Sequence, residues 1–159
     1  MKESSSDIAL ERRRWLAQLA RAPRAALESA LDAVCAGGPL PAFEWLRAPQ
    51  TGLAMVRGRI GGTGDPFNAG EATVTRAVLR LKSDDDAGAV GIAYQLGRDK
   101  RRAELAALAD AMLQTTSWSD AVREQLLVPL VRVLDEERRE RAANTASSRV
   151  DFYTMVRGE

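Results

Sequence analysis

The chain has 159 residues, 45% of them hydrophobic and 28% charged, with 23 basic and 22 acidic side chains for a formal net charge of +1. That length suits one domain around one core, and the near balance of charge argues against a general nucleic-acid binder. Histidine is absent and Cys35 is the single cysteine, which removes the usual neutral-pH general base, an internal disulfide and a cysteine cluster for zinc.

Among the cations only Lys2, Lys82 and Lys100 are lysines. Guanidinium groups suit bidentate pairing with carboxylate or phosphate, although the codon usage of a G+C-rich genome is the simpler cause of such a bias. No apolar run is long enough for a membrane span, and the N-terminus MKESSSDIALERRRW has no signal-peptide core, so a cytoplasmic location is expected.

Residues 6 to 21 read as an amphipathic helix with Ile8, Trp15, Leu16 and Leu19 near one stripe. Pro23 suits the start of a second helix, whose Ala26, Leu27, Ala30, Leu31 and Val34 face inward and which stops at Gly37-Gly38. Cys35, among apolar residues of that helix, reads as a buried structural thiol. From 42 to 96 the period changes to two. A first strand spans Phe43 to Ala48, Ala48-Pro49-Gln50-Thr51-Gly52 reads as a turn, and a second strand covers 53 to 60. A third strand covers 72 to 82, a polar turn follows, and a fourth covers 89 to 96.

Helical period returns after Asp99, a suitable N-cap, with Leu105, Leu108, Ala109 and Met112 inward. Trp118, Ser119 and Asp120 open another helix, which Pro129 should kink or divide. The apolar end DFYTMVRG follows a charged helix, so Phe152, Tyr153, Met155, Val156 and Arg157 are candidate interface residues. The expected architecture is a single α+β domain over 1–159: a two-layer arrangement with a four-strand, mainly antiparallel sheet flanked by N-terminal and C-terminal helices.

The stretch RGRIGGTGDPFNAGEATVTR (57–76) could be a phosphate loop or a strand corner. It is not G-x-G-x-x-G, because Phe67 stands at the third glycine position, and no Walker lysine follows. Glycines serving positive φ or a bulge are the simpler reading. The residual possibility is a phosphate or partner contact built from Arg57, Arg59, Gly61, Gly62, Gly64, Arg76 and Arg80, with glycine amides and guanidinium groups holding an anion. The competing possibility is that the arginines line a solvated sheet face and pair with Glu44 or Glu71.

Three blocks, TGLAMVRGRIGGTGDPFNAGEATVTRAVLRL (51–81), YQLGRDKRRAELAALADAMLQ (94–114) and SRVDFYTMVRGE (148–159), resemble the PhnG family of the bacterial carbon–phosphorus lyase core complex. The resemblance implies a noncatalytic but required subunit of the synthase that joins an alkylphosphonate to C1′ of the ATP ribose with release of adenine. It implies PhnH, PhnI and PhnJ as partners and ATP as a substrate of the complex. The residues themselves lead to an expectation of no cofactor or metal in this chain, no nucleic acid and no membrane. Self-association of the isolated chain is a further expectation. The family pattern carries a histidine in the block that begins GRDK, where this chain has Arg102, so no catalytic duty is carried over to that position. Outside the resemblance, two other classes stay open: a stand-alone binding module for a phosphorylated ligand, or a carboxylate-based phosphotransferase using Asp65, Glu71, Asp99 or Asp151 as bases.

Overall fold

The computed structural model describes residues 2–82 and 88–147, so the apolar end from Phe152 to Arg157 lies outside the described residues. Helix α1 (Lys2–Leu19) is followed by α2 (Arg24–Val34), with Pro23 at the N-cap, where its fixed φ of −61° and missing N–H cost nothing. Leu27, Leu31 and Val34 form the buried stripe of α2. Ala36 and Gly37 then take left-handed φ of 50° and 74° and end the helix. Cys35 is half-buried at this C-cap and not inside the core. Partial burial raises its thiol above the ordinary cysteine range, with the Asp32 carboxylate adding to the rise.

The sheet has three strands where the sequence suggests four: β1 (Phe43–Arg59), β2 (Pro66–Leu81) and β3 (Val90–Leu96), antiparallel in the order β1-β2-β3. The expected turn at Ala48-Pro49-Gln50-Thr51-Gly52 is instead part of β1. Register shifts fall between Trp45 and Arg47 and between Arg47 and Gln50, so bulges absorb the breaker residues without reversing the chain. Pro49 is tolerated because β1 is an edge strand, paired with β2 alone. β2 also begins earlier than the pattern suggests, which shortens the real turn to the few residues between Ile60 and Asp65.

One face of the sheet is buried. Thr75, Ala77, Leu79 and Leu81 alternate inward on β2, and Gly91, Ala93 and Gln95 stand opposite them on β3. Helix α3 (Lys100–Met112) lies on that face, with the Asp99 side chain accepting from the Arg102 amide at 2.9 Å as its N-cap. Leu105, Leu108, Ala109 and Met112 are buried as the periodicity indicates, but so are Ala103, Ala106, Ala107, Asp110 and Ala111. The helix is apolar on nearly every side because the sheet covers one flank and α1, α2 and α4 (Ser119–Val122) cover others. Its alanines permit close approach. A Cβ on Gly91 would stand 1.9 Å from the Ala107 carbonyl oxygen, so only glycine fits there.

The interruption expected at Pro129 takes the form of a π-helical segment just before it, which separates α4 from the last helix. This π turn, Arg123–Leu127, leads from α4 into α5 (Val128–Ser147), and the Val128 N–H bonds the Arg123 carbonyl. This wider turn places Pro129 in the first turn of α5, where its ring meets no carbonyl four residues back in tight helical geometry. Leu130 is the buried residue of α5, and from Asp135 on the helix is almost wholly exposed.

Candidate functional site

β3 covers β2 only over Val74–Arg80, so beyond that region β1 and β2 pair with each other alone. They form a two-stranded arm across residues 52–73 that buries no side chain fully. At about 3.4 Å per residue its length is roughly 25 Å. The arm carries Leu53, Met55, Ile60 and Phe67, exposed by 66, 57, 77 and 46%. An isolated hairpin of this kind is marginal in water, and its apolar side chains gain nothing from solvent.

At the tip the chain makes a 3-10 turn, Ile60–Gly62, in which Gly61 and Gly62 adopt φ of 60° and 79°. The Gly64 amide donates to the Ile60 carbonyl at 3.1 Å, and the Arg59 guanidinium donates to the Gly64 carbonyl at 2.9 Å. The glycines therefore have a backbone function, and Arg59 closes the turn.

Strand alternation separates the arginines that the sequence places near one another. Gln50 pairs with Arg76, and Arg57 lies seven residues further along β1, so Arg57 and Arg59 project from the face opposite to Arg76 and Arg80. Arg80 meets Glu44 at 3.2 Å across the strand pair, an exposed ion pair of the sort the sequence suggests. Arg57 and Arg76 have no ion-pair partner among the described residues. Arg76 and Arg80 share their face with Val74, Val78, Ile92, Tyr94 and Leu96, and Tyr94 and Leu96 are exposed by 59 and 69%. No described element covers this side of the sheet.

The one buried carboxylate among the described residues, Asp110, is absent from the sequence-based candidates. It accepts from Arg12 Nη2 at 2.7 Å, Arg12 Nε at 3.3 Å, Trp15 Nε1 at 2.8 Å and the Ile92 amide at 2.9 Å. These donors satisfy its lone pairs and tie α1, α3 and β3 together. The signal in the sequence is an acid inside the otherwise apolar run LAALADAML, with unassigned arginines elsewhere.

Arg102 has a similar binding duty. Its Nε donates to the Ala22 carbonyl at 2.7 Å and its Nη2 to the Ala20 carbonyl at 3.1 Å, while Gln95 Nε2 donates to the Leu19 carbonyl at 2.9 Å. Together they satisfy the orphan carbonyls at the end of α1 and place a positive charge at its negative pole. Of the carboxylates considered as bases, Asp99 is the N-cap of α3, Asp65 and Glu71 are exposed on the arm, and Asp151 lies outside the described residues.

A family model described as Phosphonate metabolism protein PhnG matches residues 10–158. The chain is also 47% identical over 158 residues to a Rhizobium meliloti (strain 1021) protein named alpha-D-ribose 1-methylphosphonate 5-triphosphate synthase subunit PhnG, a match spanning 99% of this chain and 96% of the relative.

Proposed function

Since the chain belongs to the PhnG family of phosphonate metabolism proteins, we propose that it is a noncatalytic but required subunit of the synthase that transfers alkylphosphonate to C1′ of the ATP ribose and releases adenine. Its partners in this reading are the PhnH, PhnI and PhnJ subunits, with ATP and alkylphosphonate bound by the assembly in the cytoplasm. The observation that carries the reading is 47% identity to a named synthase subunit across almost the whole of both chains.

The geometry supports the reading in two ways. The arm extends Leu53, Met55, Ile60 and Phe67 away from the core, and the open sheet face exposes Tyr94 and Leu96 beside Arg76 and Arg80. Exposed apolar surface rimmed by guanidinium groups is the composition of a protein interface. The tip, with Arg57, Arg59, Gly61, Gly62 and Gly64, and the open face, with Arg76 and Arg80, are then two separate contact regions for partner or substrate.

The test is reconstitution with tagged PhnI and PhnJ homologues plus PhnH, followed by measurement of adenine release from ATP and methylphosphonate. This chain alone is expected to release no adenine, the complete mixture to do so, and omission of this chain to abolish the reaction. Adenine release by the purified chain by itself overturns the noncatalytic role. Failure of the tagged partners to retain it overturns the subunit role.

A further inference from the structure

The face of the helical layer remote from the sheet carries a groove between α1 and α5 that neither the arm nor the open sheet face explains. Two adjoining hollows of about 480 and 360 Å³ share Gln18 and Val131. The floor on the α5 side is Leu127, Val131 and Leu134, spaced as i, i+4 and i+7, and Trp15 contributes from α1. Val128 is 50% exposed beside them.

The rim is cationic. Arg14 of α1 and Arg21 in the turn just after it border one side, and Arg132 and Arg138 of α5 the other; none of these four has an ion-pair partner among the described residues. Arg123 is already used, bonded to Glu11 at 2.6 Å and placed over the Trp15 ring at 5.4 Å. Arg141 is likewise paired with Glu137 at 3.4 Å. The lining carboxylates are Glu11, which Arg123 engages, and Asp135, so cations exceed free acids along both rims.

We propose that this groove is a docking site for an acidic amphipathic helix of a partner subunit, an inference that rests on the subunit reading above. An apolar stripe at i, i+4 and i+7 of such a helix meets Val131 and Leu134, and Asp or Glu on its flanks meets the four free guanidinium groups. From Leu127 to Arg138 the groove follows twelve residues of helix, roughly 16 Å, which accommodates about three turns of the partner. A small phosphate-bearing ligand matches this site less well, because its charges would be held at the rim while the apolar floor stayed wet.

The experiment uses the full chain co-expressed with tagged PhnI, PhnJ and PhnH homologues. A photo-crosslinking benzoylphenylalanine is placed at Val131, and at Tyr94 on the open sheet face as a comparison. The expected product from position 131 maps to a partner helix with acidic flanks. Arg14→Glu combined with Arg132→Glu is expected to lower capture by the tagged partners about tenfold or more, whereas Arg14→Lys with Arg132→Lys stays within about threefold of wild type. Circular dichroism establishes that each variant is folded, and Arg14→Gln with Arg132→Gln serves as the milder pair if the reversed one fails to fold. Unchanged capture in the folded charge variants overturns the proposal while leaving the subunit reading standing. So do crosslinks from position 131 only to another copy of this chain or to its own residues 148–159, the lack of any crosslink there, or abolition of the crosslink by ATP. Failure to capture the wild-type chain at all overturns both.

Discussion

Asp110 and Gly91 show how single residues join the layers of this protein. Asp110 receives four hydrogen bonds from Arg12, Trp15 and the Ile92 amide, so its replacement by alanine strands a half-buried guanidinium, an indole N–H and a backbone amide. Removing one partner of a buried pair costs about 3–5 kcal/mol. A urea denaturation curve for Asp110→Ala should show a loss of that size, and a loss below about 1 kcal/mol would mean the network contributes little. Glycines differ sharply by context. Gly91→Ala puts a methyl 1.9 Å from the Ala107 oxygen and 2.8 Å from the Ala111 nitrogen, so α3 has to move away from β3. That overpacking is expected to cost about 3 kcal/mol. Gly62→Ala meets nothing within 4 Å and suffers only from its φ of 79°, for about 1 kcal/mol. Equal losses in the two variants, measured by thermal unfolding, would contradict this ordering.

Among the elements, the arm and the joined α4–α5 helix depart furthest from the simple pattern. No hydrophobic core residue among those described comes from between Phe43 and Ala77, where Thr75 is buried but polar, although Phe43 packs against the core's edge. Replacing Ala54–Ala72 by Asn-Gly leaves Leu53 facing Thr73 across a two-residue turn suited to a hairpin. The isolated shortened protein is expected to keep its stability within about 1 kcal/mol, because little apolar area is lost from the core. Its capture by the tagged partner subunits is expected to fall strongly. Wild-type capture by the folded, shortened chain would remove the arm from the interface. In the C-terminal helix the π turn at Arg123–Leu127 accommodates Pro129, and α5 then runs from Val128 to Ser147 and supplies the second wall of the arginine-rimmed groove.

At the scale of the whole molecule, α3 is the hub: it packs against β2 and β3 on one side and α1, α2 and α4 on others, so the core unfolds as a unit. Native-state hydrogen exchange should therefore show amides of Leu105–Met112 and Thr75–Leu81 opening only with global unfolding. Arm amides beyond β3 should open at a free energy lower by several kcal/mol, since few buried contacts hold them. Addition of the partner subunits should slow exchange in the arm. Arm amides as protected as those of α3 in the isolated chain would show a more rigid hairpin than its contacts explain.

Local patterning made much of this architecture legible. The inward positions of α2 and α3, the Asp99 cap, the strands later in the sheet and the family resemblance all follow from spacing and short motifs within one segment. The misreadings have a common cause in information carried by distant residues. Ala48–Gly52 contains turn formers, but its pairing with β2 and its place at the sheet edge keep it extended through bulges. Whether Arg57 and Arg76 meet depends on register, and register sets them on opposite faces. Asp110 looks like a lone acid in a helix until Arg12 and Trp15 arrive from 98 and 95 residues away. A periodic pattern reports which face of an element avoids water, whereas the identity of what covers that face depends on tertiary packing, and so do ion pairs and grooves formed by residues far apart in the chain.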